Sequence, residues 1–198
     1  MTASTKNLAT PAVFGLPNQL TTLRLALAVV LFALMSFKLY QWALVVFLLA
    51  AATDWLDGYL ARKYGLITTL GRILDPFADK IVVCGAFILL ASIPEMQRFL
   101  PAWMVVIIVG RELLVTALRS FLEQQGQDFS AVMSGKLKMG LQCAAIISGL
   151  VFLSYPVGEP PAPDWVVYTL YGSIWAAVLL TLYSGVAYVR TAIALLSA

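Results

Sequence analysis

The chain has 198 residues, of which 61% are hydrophobic and 12% charged, with a formal net charge of +3 and no histidine. Soluble domains carry about 25% charged residues, so this composition excludes an ordinary soluble domain and points to a polytopic membrane protein. The small net charge and the lack of a Lys/Arg tract give no reason to expect nucleic acid, and the absence of histidine removes His-based acid–base and metal chemistry.

Residues 1–16 are mildly polar and lack an apolar core followed by a small-residue cleavage site. They read as a retained tail ahead of one membrane domain over 17–198. Pro17 to Arg24 forms a short amphipathic lead-in, in which Asn18 or Thr21 can cap a helix or bind an anion. A first apolar span follows over Leu25–Phe37, short for a crossing unless the lead-in joins it. After a turn at Lys38–Gln41, a second span runs over Trp42–Thr53 and its helical pattern continues to Arg62. Lys63–Leu74 reads as a polar connector, and Asp75-Pro76 as a helix start.

The third span covers Phe77–Ile93 and ends at a proline-bounded loop, Pro94–Pro101. The fourth runs from Ala102 past Arg111-Glu112 to Glu123, and the fifth from Lys136 to Tyr155. A Pro-rich loop over Pro156–Asp164 precedes the sixth, Trp165–Tyr188, closing at Arg190. The expected fold is all-α, a bundle of six transmembrane helices with a short N-terminal amphipathic segment. Trp42, Trp103 and Trp165 stand near span ends, as interfacial anchors do. Cys84 and Cys143 lie in apolar runs without partners at metal-ligand spacing and read as buried thiols. With six spans, eleven of the thirteen Lys and Arg residues fall on the side of the termini, which predicts that side to be cytoplasmic.

Four of the ten acidic residues stand together at Asp54, Asp57, Asp75 and Asp79, at helix ends on that same side. One or two carboxylates at such a boundary would need no explanation beyond capping. Four near a low-dielectric core repel one another, and divalent cations are the simplest compensation. An oxygen-only donor set suits Mg²⁺, Mn²⁺ or Ca²⁺ rather than zinc, and can hold two ions in a phosphoryl-transfer site. Gly58 and Ala61 leave room beside the carboxylates, and Arg62 can pair with a phosphate. The connector lets the two acidic helices pack antiparallel.

The pattern Asp54-x2-Asp57-Gly58-x2-Ala61-Arg62-x8-Gly71-x3-Asp75-x3-Asp79 resembles the signature of the CDP-alcohol phosphatidyltransferases, and the match is complete. Six spans and this length are also similar to the family, so the resemblance covers nearly the whole chain. It implies an enzyme of the lipid bilayer, in a bacterial inner (cytoplasmic) membrane, with two divalent cations, Mg²⁺ or Mn²⁺. CDP-diacylglycerol would donate its phosphatidyl group to an alcohol, and CMP would leave. It further implies Asp54, Asp57 and Asp75 as metal ligands and Asp79 as both metal contact and base. Gly58, Arg62, Thr68 and Gly71, with the Asn18–Thr21 segment, would contact CDP-diacylglycerol. Members are often homodimers, and no stretch here marks an interface.

The acceptor must be read from the second half. Arg111 and Glu112 lie in an apolar span, and Arg119 follows Glu112 by seven residues. Ser134 to Lys138 adds Lys136 and Lys138. Cations in a membrane helix usually line a pathway or pair with an anion, so Arg111, Arg119 and Lys136 are expected at an acceptor phosphate. The alternative is that Arg111 pairs with Glu112 and the lysines are interfacial anchors. These segments resemble the branch using glycerol 3-phosphate, although Met139 stands where members often carry a small hydroxyl residue. Inositol phosphate, serine and phosphatidylglycerol are the other acceptors within the family. A cation channel or transporter would instead need carboxylates at mid-membrane or along a pore.

Overall fold

The computed structural model describes the backbone of residues 16–64, 69–124, 134–155 and 162–196, and the side chains within 21–53, 77–122, 137–155 and 162–195. These residues form six helices: α1 (Leu16–Ser36), α2 (Tyr40–Tyr64), α3 (Thr69–Ser92), α4 (Ala102–Gln124), α5 (Ser134–Ser154) and α6 (Asp164–Leu196). One 3-10 turn, Pro94–Met96, follows α3, and no strand occurs among the described residues. The all-α expectation and its six elements are borne out. The tail at 1–15 and the Pro-rich loop at 156–161 lie outside the described residues.

Three boundaries differ from the sequence reading, each for a local reason. The lead-in and first span are one helix of 21 residues, with Pro17 in its first turn where a missing N–H costs nothing. Helix α3 begins at Thr69, so Asp75-Pro76 is inside it rather than at its start. The proline loses one backbone hydrogen bond there, but Leu70, Ile73 and Leu74 already repeat with helical spacing and carry the helix through. Helix α6 continues beyond Arg190 to Leu196, because no Gly or Pro follows to stop it.

Helix α1 ends in a Schellman motif. Leu39 N–H donates to the Leu34 carbonyl at 2.9 Å and Lys38 N–H to the Met35 carbonyl at 3.1 Å, with Lys38 left-handed at φ 59°. This tight corner folds α2 back along α1. Over the described residues, α2 packs on α1 and α5, and α3 packs on α1, α4 and α5. The α2–α3 contacts expected around the acidic motif fall on residues 54–76, whose side chains lie outside the described residues, while α1 lies against both helices. Helix α4 packs on α3 and α6, and α5 packs on α2, α3 and α6.

One core runs through the bundle, with Phe47, Phe87, Ile108, Ile146 and Ile174 buried in it. A smaller cluster of Val115, Leu122, Tyr188 and Ala192 joins α4 to α6. The end opposite the acidic motif is aromatic: Phe99 meets Phe152 and Tyr171 edge-on, with centroids 5.1 and 4.7 Å apart. Trp42, Trp103 and Trp165 are exposed, as interfacial anchors would be. Among the described residues, Leu137–Ser154 and Asp164–Leu195 are long and apolar enough to cross a membrane, while the apolar stretches Thr21–Ser36 and Tyr40–Thr53 are shorter.

Helices α1 and α3 pack tightly at Gly85, which faces the Phe32 ring. A Cβ built there would collide with the Phe32 ring, which would have to shift to admit it. Gly85→Val is expected to lower the unfolding temperature of the purified protein, at a cost of about 1–3 kcal/mol for overpacking. Adding Phe32→Ala should recover part of that loss, because the two sites share one contact. A Gly85→Val protein as stable as the parent would rule out this close approach.

Candidate active site

Helix α2 carries Asp54, Asp57, Gly58 and Arg62 in its last three turns. Helix α3 carries Gly71, Asp75 and Asp79 at every fourth position. The side chains of Asp54, Asp57, Gly58, Arg62, Gly71 and Asp75 lie outside the described residues, as do those of Asn18 and Lys136, and Thr68 lies outside them entirely. Asp79 and Thr21 are described, and so are Arg111 and Arg119.

Asp79 is held across the bundle by Arg24 of α1, whose Nη1 donates to Oδ1 at 2.9 Å. The Arg24 side chain is only 2% exposed, whereas that of Asp79 is 31% exposed. A guanidinium so deeply buried needs a carboxylate partner. Thr21, one turn earlier on α1, is fully buried. On the sequence alone, Arg24 reads as the end of the amphipathic lead-in and a charge on the cytoplasmic side. Its place at the start of an apolar run, three residues after Thr21, was the available signal.

Asp79 opens onto a cavity of about 180 Å³ lined also by Lys80, Val83, Cys84, Glu112, Lys138, Met139 and Gln142. Helices α3, α4 and α5 supply this lining. Glu112 is its electrostatic centre: its Oε1 accepts from Lys138 Nζ, from Arg111 Nη1 at 3.4 Å and from Gln142 Nε2 at 3.4 Å. Glu112, Lys138 and Gln142 are all buried. Lys80 donates instead to the Thr116 hydroxyl, and Thr116 donates to the Glu112 carbonyl at 2.7 Å. Lys80 is therefore a cavity cation whose recorded hydrogen-bond partner is neutral, within electrostatic range of Glu112, Arg119 and Arg111.

The residues expected at the acceptor phosphate do not all meet here. Arg111 turns toward α6, with its guanidinium 5.2 Å from the Tyr188 ring centroid and its Cγ 3.1 Å from where a Cβ on Gly185 would be. Glycine at 185 makes room for that arginine. Arg119 is half-buried on α4, and its Nε, like that of Arg111, makes no hydrogen bond among the described residues. Lys138, read as an anchor or a phosphate contact, is committed to Glu112. Lys80 and Glu112 are cavity residues that the sequence reading left out of the site. Lys80 directly follows the last aspartate of the motif, and Glu112 is an acidic residue in an apolar helix.

Removing one partner of a buried ion pair strands the other charge, a loss of about 3–5 kcal/mol. Glu112→Ala is expected to destabilise the protein on that scale in thermal unfolding. Combining Glu112→Gln with Lys138→Met, which removes both charges and keeps the volumes, should restore much of the stability. A double variant no more stable than Glu112→Ala would argue against the pair as the source.

The CDP-alcohol phosphatidyltransferase family model matches residues 14–183, which include the whole acidic motif and the cavity lining. Among curated relatives, the CDP-diacylglycerol–glycerol-3-phosphate 3-phosphatidyltransferase of Bacillus subtilis (strain 168) is 34% identical over 189 residues, 87% of this chain and 92% of that protein. The protein of the same name from Pseudomonas fluorescens is 36% identical over 191 residues, 90% of each chain. That of Escherichia coli (strain K12) is 31% identical over 189 residues, 90% of this chain and 95% of that protein. With a family match across most of its length and relatives above 30% identity, the chain is a transferase and belongs to the CDP-alcohol phosphatidyltransferase family.

Proposed function

We infer that this protein transfers the phosphatidyl group of CDP-diacylglycerol to glycerol 3-phosphate, giving phosphatidylglycerophosphate and CMP. The observation that carries this reading is the cavity in which Asp79, the last aspartate of the motif, shares one wall with Lys80. A carboxylate suited to take a proton and a cation suited to hold a phosphate are consecutive on α3. An acceptor with a hydroxyl at one end and a phosphate at the other fits that pairing. The names of the relatives support the same two substrates.

In the reaction, the acceptor hydroxyl gives its proton to Asp79 and its oxygen bonds to the β-phosphorus, the one that carries diacylglycerol. The bond from that phosphorus to the bridging oxygen breaks, and CMP departs with the electron pair. A base at this position contributes typically 10²–10⁴-fold. Lys80, together with Arg119 and Lys136, would hold the acceptor phosphate, and Arg111 would act on the pocket from the α6 side. Gly58, Arg62, Thr68 and Gly71, with Asn18 and Thr21, would hold the nucleotide diphosphate.

Asp54, Asp57, Asp75 and Asp79 fit a pair of divalent cations, since they are four hard oxygen donors in a chain without histidine. Mg²⁺ or Mn²⁺ bound there would supply charge stabilisation for the diphosphate and for leaving CMP. The apolar exterior, with Val29, Leu113, Tyr168 and Ile193 among its exposed residues, supports a bilayer setting. The Lys/Arg asymmetry supports a cytoplasmic active site and cytoplasmic termini, in a bacterial inner membrane.

Purified protein incubated with CDP-diacylglycerol, Mg²⁺ or Mn²⁺ and glycerol 3-phosphate is expected to release CMP. Release with inositol phosphate in place of glycerol 3-phosphate would reassign the acceptor, and no release with any acceptor would exclude the activity. Asp79→Asn keeps the shape but cannot take the proton, so turnover should fall by roughly 10²–10⁴-fold in a protein that still folds. Arg119→Ala should raise KM for glycerol 3-phosphate more than it lowers kcat. An unchanged KM would remove Arg119 from the acceptor site.

A further inference from the structure

We propose that Arg24 is the positioning residue for Asp79, setting the orientation of the carboxylate that takes the acceptor proton. This rests on the reaction assigned above, and assigns a residue that neither the acidic motif nor the basic second half contains. Three observations carry it. Arg24 is on α1, 55 residues from Asp79 in sequence, yet its Nη1 donates to Oδ1 at 2.9 Å. Its side chain is 2% exposed, so the guanidinium is fixed by its surroundings and does not search for partners. The Asp79 side chain is 31% exposed and lines the cavity, so the pair has one sealed member and one working member.

A carboxylate at the mouth of a cavity rotates unless something holds it. A buried arginine on Oδ1 restricts that rotation and with it the direction of Oδ2. Arginine suits the task because its planar fork is rigid and its charge is permanent. Outer contacts of this kind orient working carboxylates, and their loss costs activity more than fold. Helix α1 also carries Asn18 and Thr21, proposed above to meet the nucleotide. The helix that would seat the donor would therefore also aim the base, and Thr21, one turn from Arg24, is fully buried beside it.

The test is a kinetic comparison of wild type, Arg24→Gln and Arg24→Lys, with kcat expressed per folded molecule and KM measured for both substrates. Arg24→Gln should lower kcat by roughly 10–100-fold with both KM values little changed. Arg24→Lys keeps the charge and should recover part of that loss. An unchanged kcat in Arg24→Gln, with only a lower unfolding temperature, would overturn the proposal and leave Arg24 as a packing staple between α1 and α3. If Arg24→Gln does not fold, Arg24→Lys decides: a reduced kcat at constant KM supports the role, and wild-type kcat overturns it. Wild-type CMP release in the same assay separates the two readings. Without it, the assigned reaction fails and this role falls with it; with it, a full-rate Arg24→Gln defeats the positioning role alone.

Discussion

Charge buried in an apolar bundle must be matched across helices, and the architecture depends on that matching. Three contacts beside the cavity cross a helix boundary: Arg24 to Asp79 between α1 and α3, Lys80 to Thr116 between α3 and α4, and Lys138 to Glu112 between α4 and α5. Gln142 extends the chain to Thr181 on α6 at 3.5 Å. Dispersion and apolar burial hold such helices together but are tolerant of sliding and rotation. Ion pairs and hydrogen bonds are not, because a displaced partner leaves a buried charge unmatched. The network therefore sets the register of the helices in the half of the bundle where chemistry would occur.

The two ends of the molecule divide the work. The end away from the acidic motif is built from aromatic contacts, such as Trp103 against Trp175 at 6.3 Å, and from the corner at Lys38. Arg98 lies 4.4 Å above the Phe99 ring there, a cation covering an apolar surface. The motif end is built from charge. Glu112 keeps Lys138 engaged and draws in Arg111, while the hydrogen bond of Lys80 among the described residues goes to the Thr116 hydroxyl. This uneven distribution leaves one cavity cation better suited than its neighbours to meet a phosphate. A fully neutralised cavity would have no electrostatic reason to admit one.

Sequence reading located the reaction class more easily than the pocket. The aspartates stand at fixed intervals within helices, so a linear pattern records them. The helical fold was legible for the same reason, since apolar runs and proline-bounded loops are local signals. Asp75-Pro76 shows the limit of such signals: it has the composition of a helix start, yet α3 runs through it because neighbouring apolar residues favour continuation. Arg111 shows another. Its position in an apolar helix leaves a phosphate and Glu112 as possible partners; the packed bundle sets its guanidinium against Glu112 and beside the Tyr188 ring of α6.

By itself, the sequence determined that this chain is helical and apolar, that four carboxylates stand at fixed intervals in a chain without histidine, and that it belongs among the CDP-alcohol phosphatidyltransferases. These properties are carried by composition and by spacings of a few residues along one helix. Tertiary structure alone decided that Arg24 reaches Asp79, that Glu112 gathers Lys138 and Arg111, and that Lys80 shares a cavity wall with Asp79. Those pairings join residues tens of positions apart on different helices. They depend on the rotation and register of packed helices, which the packing of the whole bundle sets and no local pattern records.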